Sequence, residues 1–133
     1  MDIVVCIKRV PATDTAIKIA ADGKSIETNG VSFEMNAYDE FALEQALLIK
    51  EQLGEGTVTA LTIGPSLAQK VMRDALARGA DKAVVLTTDE WIYDGAQVAQ
   101  ALATYLQANP AQIVLCGKQA VDSDNNQLAG NLA

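Results

Sequence analysis

Histidine is absent from this 133-residue chain, and there are only two cysteines. A structural zinc site therefore lacks its usual ligands, and the commonest general acid–base group is missing. Basic residues are also scarce: 10 Lys and Arg stand against 17 Asp and Glu, a net charge of −7. That field argues against a nucleic-acid partner, which calls for the opposite sign. No apolar run approaches the roughly 20 residues needed to span a bilayer. Met1-Asp2-Ile3-Val4-Val5 opens directly into a strand, without the basic segment and long apolar core of a signal peptide. Neither Gly-x-Gly-x-x-Gly nor a Walker-type lysine loop occurs. No serine or cysteine stands beside a plausible base, so no catalytic constellation emerges.

Half of the residues are hydrophobic, which suits one packed domain burying about two-thirds of its unfolded surface. Ile3 to Ile7 is a continuous apolar run, as expected for a parallel strand covered on both faces. Lys8-Arg9-Val10-Pro11 then reads as a loop, and alternation around Asp22-Gly23 predicts a small hairpin of residues 17–19 with 25–27. Asn36 has the chemistry of a helix N-cap, with Asp39 and Glu40 in the first turn favoured by the dipole. With Glu44 they are expected to face water. Ala37, Phe41 and Leu48, widened by Ala46 and Leu47, define the expected buried face, and Gly54 the stop.

Val58 to Ile63 reads as a second strand, closed by Gly64-Pro65. A second helix is marked by Leu67, Val71, Met72, Ala75, Leu76 and Arg78, with Gly79 past its end. Met35 and Met72 read as core filler. Ala83 to Leu86 is a third strand, and a connection holding Trp91 leads to a helix from about Asp94 to Gln107. Ile113 to Cys116 is a fourth strand. Cys6 and Cys116 both lie in apolar runs and read as small buried hydrophobes in a reducing compartment. Alternating strands and helices predict an α/β fold: an open, doubly wound, mostly parallel sheet with helices on both faces. The chain reads as a single domain over 1–133 that expects at least one more strand, and hence as a fragment of a longer subunit.

Ligands of such sheets bind beyond the carboxyl ends of the strands, where strand order reverses. The segment after the fourth strand, Gly117-Lys118-Gln119-Ala120-Val121-Asp122-Ser123-Asp124-Asn125-Asn126-Gln127-Leu128, lies there and is dense in amides and carboxylates. Asp124-x-x-Gln127 has capping-box spacing, so a helix is expected from Asp124, offering free N–H groups to a phosphate. Ser123, Asn126 and Gln127 suit a ribose or phosphate, and Ala120 leaves room for a base. Asp122 and Asp124 repel phosphate and are expected to cap the helix or form Asx turns. A plain solvated connection explains the same residues.

Several stretches together resemble the N-terminal half of the small (beta) subunit of electron transfer flavoproteins. They are Val5-Cys6-Ile7-Lys8-Arg9-Val10, Met35-Asn36-Ala37-Tyr38-Asp39-Glu40-Phe41-Ala42-Leu43-Glu44, Gly64-Pro65, Ala75-Leu76-Ala77-Arg78-Gly79-Ala80-Asp81 and Gly117-Lys118-Gln119-Ala120-Val121-Asp122. The resemblance implies a Rossmann-like domain of a heterodimeric electron carrier without catalytic residues of its own. It implies a structural AMP in this subunit and a redox FAD held mainly by a partner alpha subunit. Electrons then pass from flavin dehydrogenases, such as acyl-CoA dehydrogenases, to a quinone oxidoreductase and the quinone pool. Carried over residue by residue, the AMP site comprises Cys6, Asn36, Ile63, Ala120, Ser123, Asn126, Gln127 and Leu128. Ser123 stands where an acid is common and Leu128 where a threonine hydroxyl is, so Leu128 must act through its backbone N–H. Bifurcating relatives, which hold a second FAD in this position, tend to have Arg in place of Lys118 and a glycine near Ser123, so AMP is the expected occupant. A bacterial cytoplasm is expected, or the mitochondrial matrix for a eukaryotic chain.

Further readings concern other residues and other functions of this architecture. Lys8 and Arg9 either neutralise phosphate or face solvent or a subunit. Tyr38 and Trp91 are expected at a surface or interface rather than stacked on flavin. An ATP-binding stress-protein or pyrophosphatase domain shares the architecture, but needs a glycine-spaced loop where Lys8 to Thr13 stand. A signalling receiver needs an acidic pair at the first strand end, where bases stand instead.

Overall fold

The computed structural model describes residues 1–90 and 94–133; Trp91 lies outside them. In chain order the elements are β1 (Asp2–Cys6), β2 (Arg9–Pro11), β3 (Phe33–Met35), α1 (Ala37–Leu53), β4 (Thr57–Gly64), a 3-10 turn (Ser66–Ala68), α2 (Gln69–Arg78), β5 (Lys82–Thr87), α3 (Gly95–Ala108), β6 (Ile113–Cys116) and α4 (Leu128–Leu132). The main sheet is ordered β5-β4-β1-β6 and all of its pairs are parallel. The chain winds outward from β1 through β4 to β5, then crosses back to place β6 on the other side of β1. Strand order therefore reverses at β1, as the doubly wound expectation requires.

Successive residues of a strand point to opposite faces, and β1 divides its side chains accordingly. Ile3, Val5 and Ile7 join Leu43 and Ala46 of α1 and Val71, Met72 and Ala75 of α2 in one core. Val4 and Cys6 face the other way, with Leu61, Leu102 of α3, and Leu128 and Leu132 of α4. Each fully buried aliphatic side chain contributes about 1.5–3 kcal/mol. The two cores together hold β1 at the centre.

The inward face of α1 differs from the sequence expectation. Asp39, Leu43 and Ala46 are buried, whereas Phe41 and Leu48 are 74% and 40% exposed. At 100° per residue, positions 37, 41 and 48 lie about 180° from 39, 43 and 46. The helix thus carries two opposed apolar stripes, and periodicity alone does not choose between them. In α2 the same correction applies to Leu67 and Leu76, which are exposed, while Val71, Met72 and Ala75 pack inward. Met35 and Met72 are core residues, as expected. Gly54 ends α1 at φ 70°, its N–H donating to the Lys50 and Glu51 carbonyls. That left-handed backbone suits glycine.

Two peripheral features also differ. Residues Arg9 to Pro11, expected as loop, form an antiparallel ribbon with β3 in which Arg9 opposes Met35 and Pro11 opposes Phe33. The expected hairpin at 17–27 is reduced to a single bridge between Ile19 and Ile26, since Ile17 and Ile19 find no apolar surface to cover them. Asp81 ties α1 to the sheet: its carboxylate accepts from Lys50 Nζ at 2.6 Å and from the Val58 N–H at 2.8 Å.

Candidate functional site

The carboxyl ends of β1, β4 and β6 meet the segments that follow them on the side where strand order reverses. Cys6 ends β1, is buried, and lies in register with Leu61 on one side and Cys116 on the other. Two residues beyond Leu61, half-buried Ile63 is in register with Leu86 of β5.

The start of α1 gathers the loops leaving these strands. Asn36 is fully buried and precedes the helix, but its side chain does not cap it. Instead Nδ2 donates to the Gln119 carbonyl at 2.9 Å, and Oδ1 accepts from the Val121 N–H at 3.0 Å. One turn on, the Asp39 carboxylate accepts from the Lys8 N–H at 2.7 Å and the Gly117 N–H at 3.1 Å. The expectation that Asp39 faces water is therefore corrected: it is 5% exposed. Its neighbours in that expectation, Glu40 and Glu44, do lie outward, Glu40 pairing with Arg78 at 2.9 Å. Burial pushes the Asp39 carboxyl up to about 6, against the opposing pull of the Lys8 amide, the Asn36 side chain and the Gly117 amide.

Such close packing needs a residue without a side chain after β6. A methyl at Gly117 would overlap Asp39 Oδ1 and lie 2.7 Å from the Tyr38 carbonyl carbon. Two further contacts fix the loop. Lys8 Nζ pairs with Asp122 at 2.7 Å, and Gln119 Nε2 donates to Asp124 at 2.9 Å. Asp122 and Asp124 thus neither cap a helix nor form Asx turns; their carboxylates are engaged by a cation and an amide. Lys8 is neutralised by Asp122, and the Arg9 guanidinium stacks 3.4 Å over the Phe33 ring. A surface groove beside Arg9 and Phe33 runs to Leu67 and Lys70, apart from the Gly117 loop.

The predicted helix from Asp124 is also corrected. Asp124 and Asn126 both have φ near 50°, and α4 begins only at Leu128, with Gln127 as an uncapping N-cap residue. Amide and carboxylate side chains tolerate this left-handed backbone, which breaks any regular helix. Among the described residues, no backbone hydrogen bond engages the N–H groups of Asn126, Gln127 and Leu128. A five-residue helix adds little dipole, so these loop amides, rather than a helix end, are the available donors.

The eight candidate residues divide accordingly. Asn36 and Ala120 are brought together, because the two Asn36 bonds flank Ala120. Cys6 and Leu128 belong to the same core, against which the half-buried Leu128 side chain packs. Ser123, Asn126 and Gln127 share the exposed rim. That rim crosses the start of α3, since a methyl on Gly95 would lie 3.6 Å from Asn125 Nδ2 and 3.9 Å from Gln127 Cβ. Ile63 stands apart, on the β5 side of the sheet in register with Leu86. Sequence reasoning missed Asp39 and Gln119 as elements of the site; the spacing of Asn36 and Asp39, one helical turn, was the available signal. Among the described residues, no cluster of three or more Cys, Asp or Glu is placed to hold a metal.

Comparison with known proteins matches the sequence to a family. A family model described as "Electron transfer flavoprotein domain" matches residues 24–133. Among curated relatives, the chain is 37% identical over its whole length to an electron transfer flavoprotein subunit beta of Dictyostelium discoideum, covering 53% of that protein. It is 36% identical to the subunit beta of Bacillus subtilis, covering 51% of it, again over its whole length. Protein FixA of Sinorhizobium fredii is 39% identical over the whole chain, which covers 48% of it. The chain spans about half the length of the curated relatives it matches. Mitochondrial beta subunits of rice are also among them. With a parallel sheet that reverses at β1 and a loop stapled over that point, the chain belongs to the electron transfer flavoprotein domain family.

Proposed function

We propose that this chain supplies the adenylate-binding part of an electron transfer flavoprotein beta subunit, with AMP seated across the carboxyl ends of β1 and β6. The observation that carries this reading is the Gly117–Leu128 loop: Asn36 and Asp39 hold it over the switch point, and its Asn126, Gln127 and Leu128 N–H groups have no backbone partner among the described residues. Alternating left-handed residues in a loop aim successive N–H groups to one side, an arrangement that favours anions. Pairing with Lys8 offsets the charge of Asp122, and Asp124 accepts from the Gln119 side chain. Ala120 and the Asn36 staple form the floor for the ribose or base, and Ser123, Asn126 and Gln127 supply neutral hydrogen bonds at the rim.

In this role the nucleotide is structural, and the redox chemistry belongs to an FAD held mainly by an alpha subunit. The intact heterodimer carries electrons from flavin dehydrogenases toward a quinone oxidoreductase, and the chain itself is a carrier scaffold rather than an enzyme. The alternative occupant, a second FAD, shares the adenylate half. Denaturing the purified full-length complex and identifying the released nucleotides by mass tests the reading. One AMP and one FAD per heterodimer support it; two FAD and no AMP overturn the choice of AMP.

A further inference from the structure

Cys6 and Cys116 end neighbouring parallel strands and are register partners. Neighbouring strands lie about 4.7–4.9 Å apart, inside the roughly 4.4–6.8 Å Cα separation that a disulfide spans. Residues in register on one sheet face present their side chains to the same side, and both thiols pack in the core beneath α3 and α4. Neither is oxidised in this structure. Cys6 is buried whereas Cys116 is half-buried at the strand's end, so Cys116 is the more accessible residue of the two.

We propose that Cys6 and Cys116 form an oxidisable dithiol that hydrogen peroxide converts to an internal disulfide, clamping β1 to β6 where the strand order reverses. In the first step the Cys116 thiolate attacks a peroxide oxygen. An S–O bond forms, the O–O bond breaks, and hydroxide leaves and takes a proton to become water. The Cys6 sulfur then attacks the Cys116 sulfenic acid. The S–S bond forms, the S–O bond breaks, and the Cys6 proton accompanies the departing hydroxide as a second water. Each sulfur gives up one electron, and the peroxide is reduced by two.

The direction of attack follows from the thiols' surroundings. The neighbouring Cys6 thiol holds Cys116 below the ordinary thiol value, although burial and Asp39 oppose it. Cys6, beside Cys116 and more deeply buried, is pushed upward. The more exposed sulfur is therefore the nucleophile and the buried one resolves it. This inference does not depend on adenylate binding.

The test uses the full-length protein, reduced anaerobically, treated with hydrogen peroxide, alkylated while denatured and digested with trypsin. Peptides 1–8 and 83–118 should emerge as one species two hydrogen masses lighter than their sum, separated again by dithiothreitol. Replacing Cys6 with serine should leave Cys116 as a sulfenic acid captured by dimedone. In the unsubstituted protein, a dimedone adduct that persists on Cys116, two thiols that remain alkylatable, or disulfides only between molecules would each overturn the proposal. The peptide link is read on the unsubstituted protein, so a variant that fails to fold does not remove the test.

Discussion

The side chain of Asn36 holds Ala120 in place from both sides: it donates to the Gln119 carbonyl at 2.9 Å and accepts from the Val121 N–H at 3.0 Å. Replacing Asn36 with alanine leaves two part-buried backbone groups unpaired, at about 1–3 kcal/mol each where no water reaches them. The expected outcome is a urea midpoint lowered by an amount equivalent to about 2 kcal/mol or more, at unchanged slope. A substitution that leaves the midpoint where it was would show that the staple holds nothing.

Asp39 gives the protein an unusual acid response. Its carboxyl rises from 3.8 unfolded to about 6 folded, so between those values the folded chain keeps a proton that the unfolded chain has released. Stability from this group therefore increases as pH falls from 6 toward 4 and is lost as pH rises through 6. The gap corresponds to about 3 kcal/mol. Relative to the Asp39→Asn variant, the unsubstituted protein should gain stability over that range in parallel denaturation series. A constant difference, or one of opposite sign, would contradict the burial-driven assignment.

Glycine at 117 is required by space rather than by conformation. Alanine there meets Asp39 and the Tyr38 carbonyl carbon, and such overpacking costs about 1–3 kcal/mol. By contrast, Gly130 has nothing within 4 Å of an added methyl and lies inside α4, where alanine is favoured by about 1 kcal/mol. Thermal melts of the two variants should move in opposite directions.

The inward face of α1 can be checked by a matched pair. Leu43→Ala removes a side chain that is 1% exposed and should cost about 2–5 kcal/mol. Phe41→Ser removes one that is 74% exposed and should stay within about 0.5 kcal/mol. Equal losses would place the helix the other way round.

The four main strands and the three longer helices were legible because buried parallel strands are plain apolar runs and their helices carry stop signals. Ile113 to Cys116 and the helix expected from about Asp94 are examples; the structure adds that the Asp94 side chain caps that helix by accepting from the Ala96 N–H. What escaped was tertiary. An aspartate in a first helical turn satisfies the dipole whether it faces water or, as Asp39 does, two backbone amides from distant loops. One stripe of α1 carries Phe41 and Leu48 and the other Leu43 and Ala46 beside Asp39, and the packing of Leu43 in the core with β1 chooses the second. The late start of α4 follows from left-handed Asp124 and Asn126, which the capping-box spacing conceals. The place in the fold of the polar segment was legible, since it coincides with the sheet's reversal, but the staple that holds it was not.

Hydrogen–deuterium exchange of the full-length protein, stripped of nucleotide and then reloaded with AMP, tests the central proposal most directly. Seating AMP across β1 and β6 predicts slowed exchange concentrated in residues 117–128, with a smaller effect around Asn36 and none at β5. Unchanged exchange in 117–128, or protection confined to another surface, would contradict it.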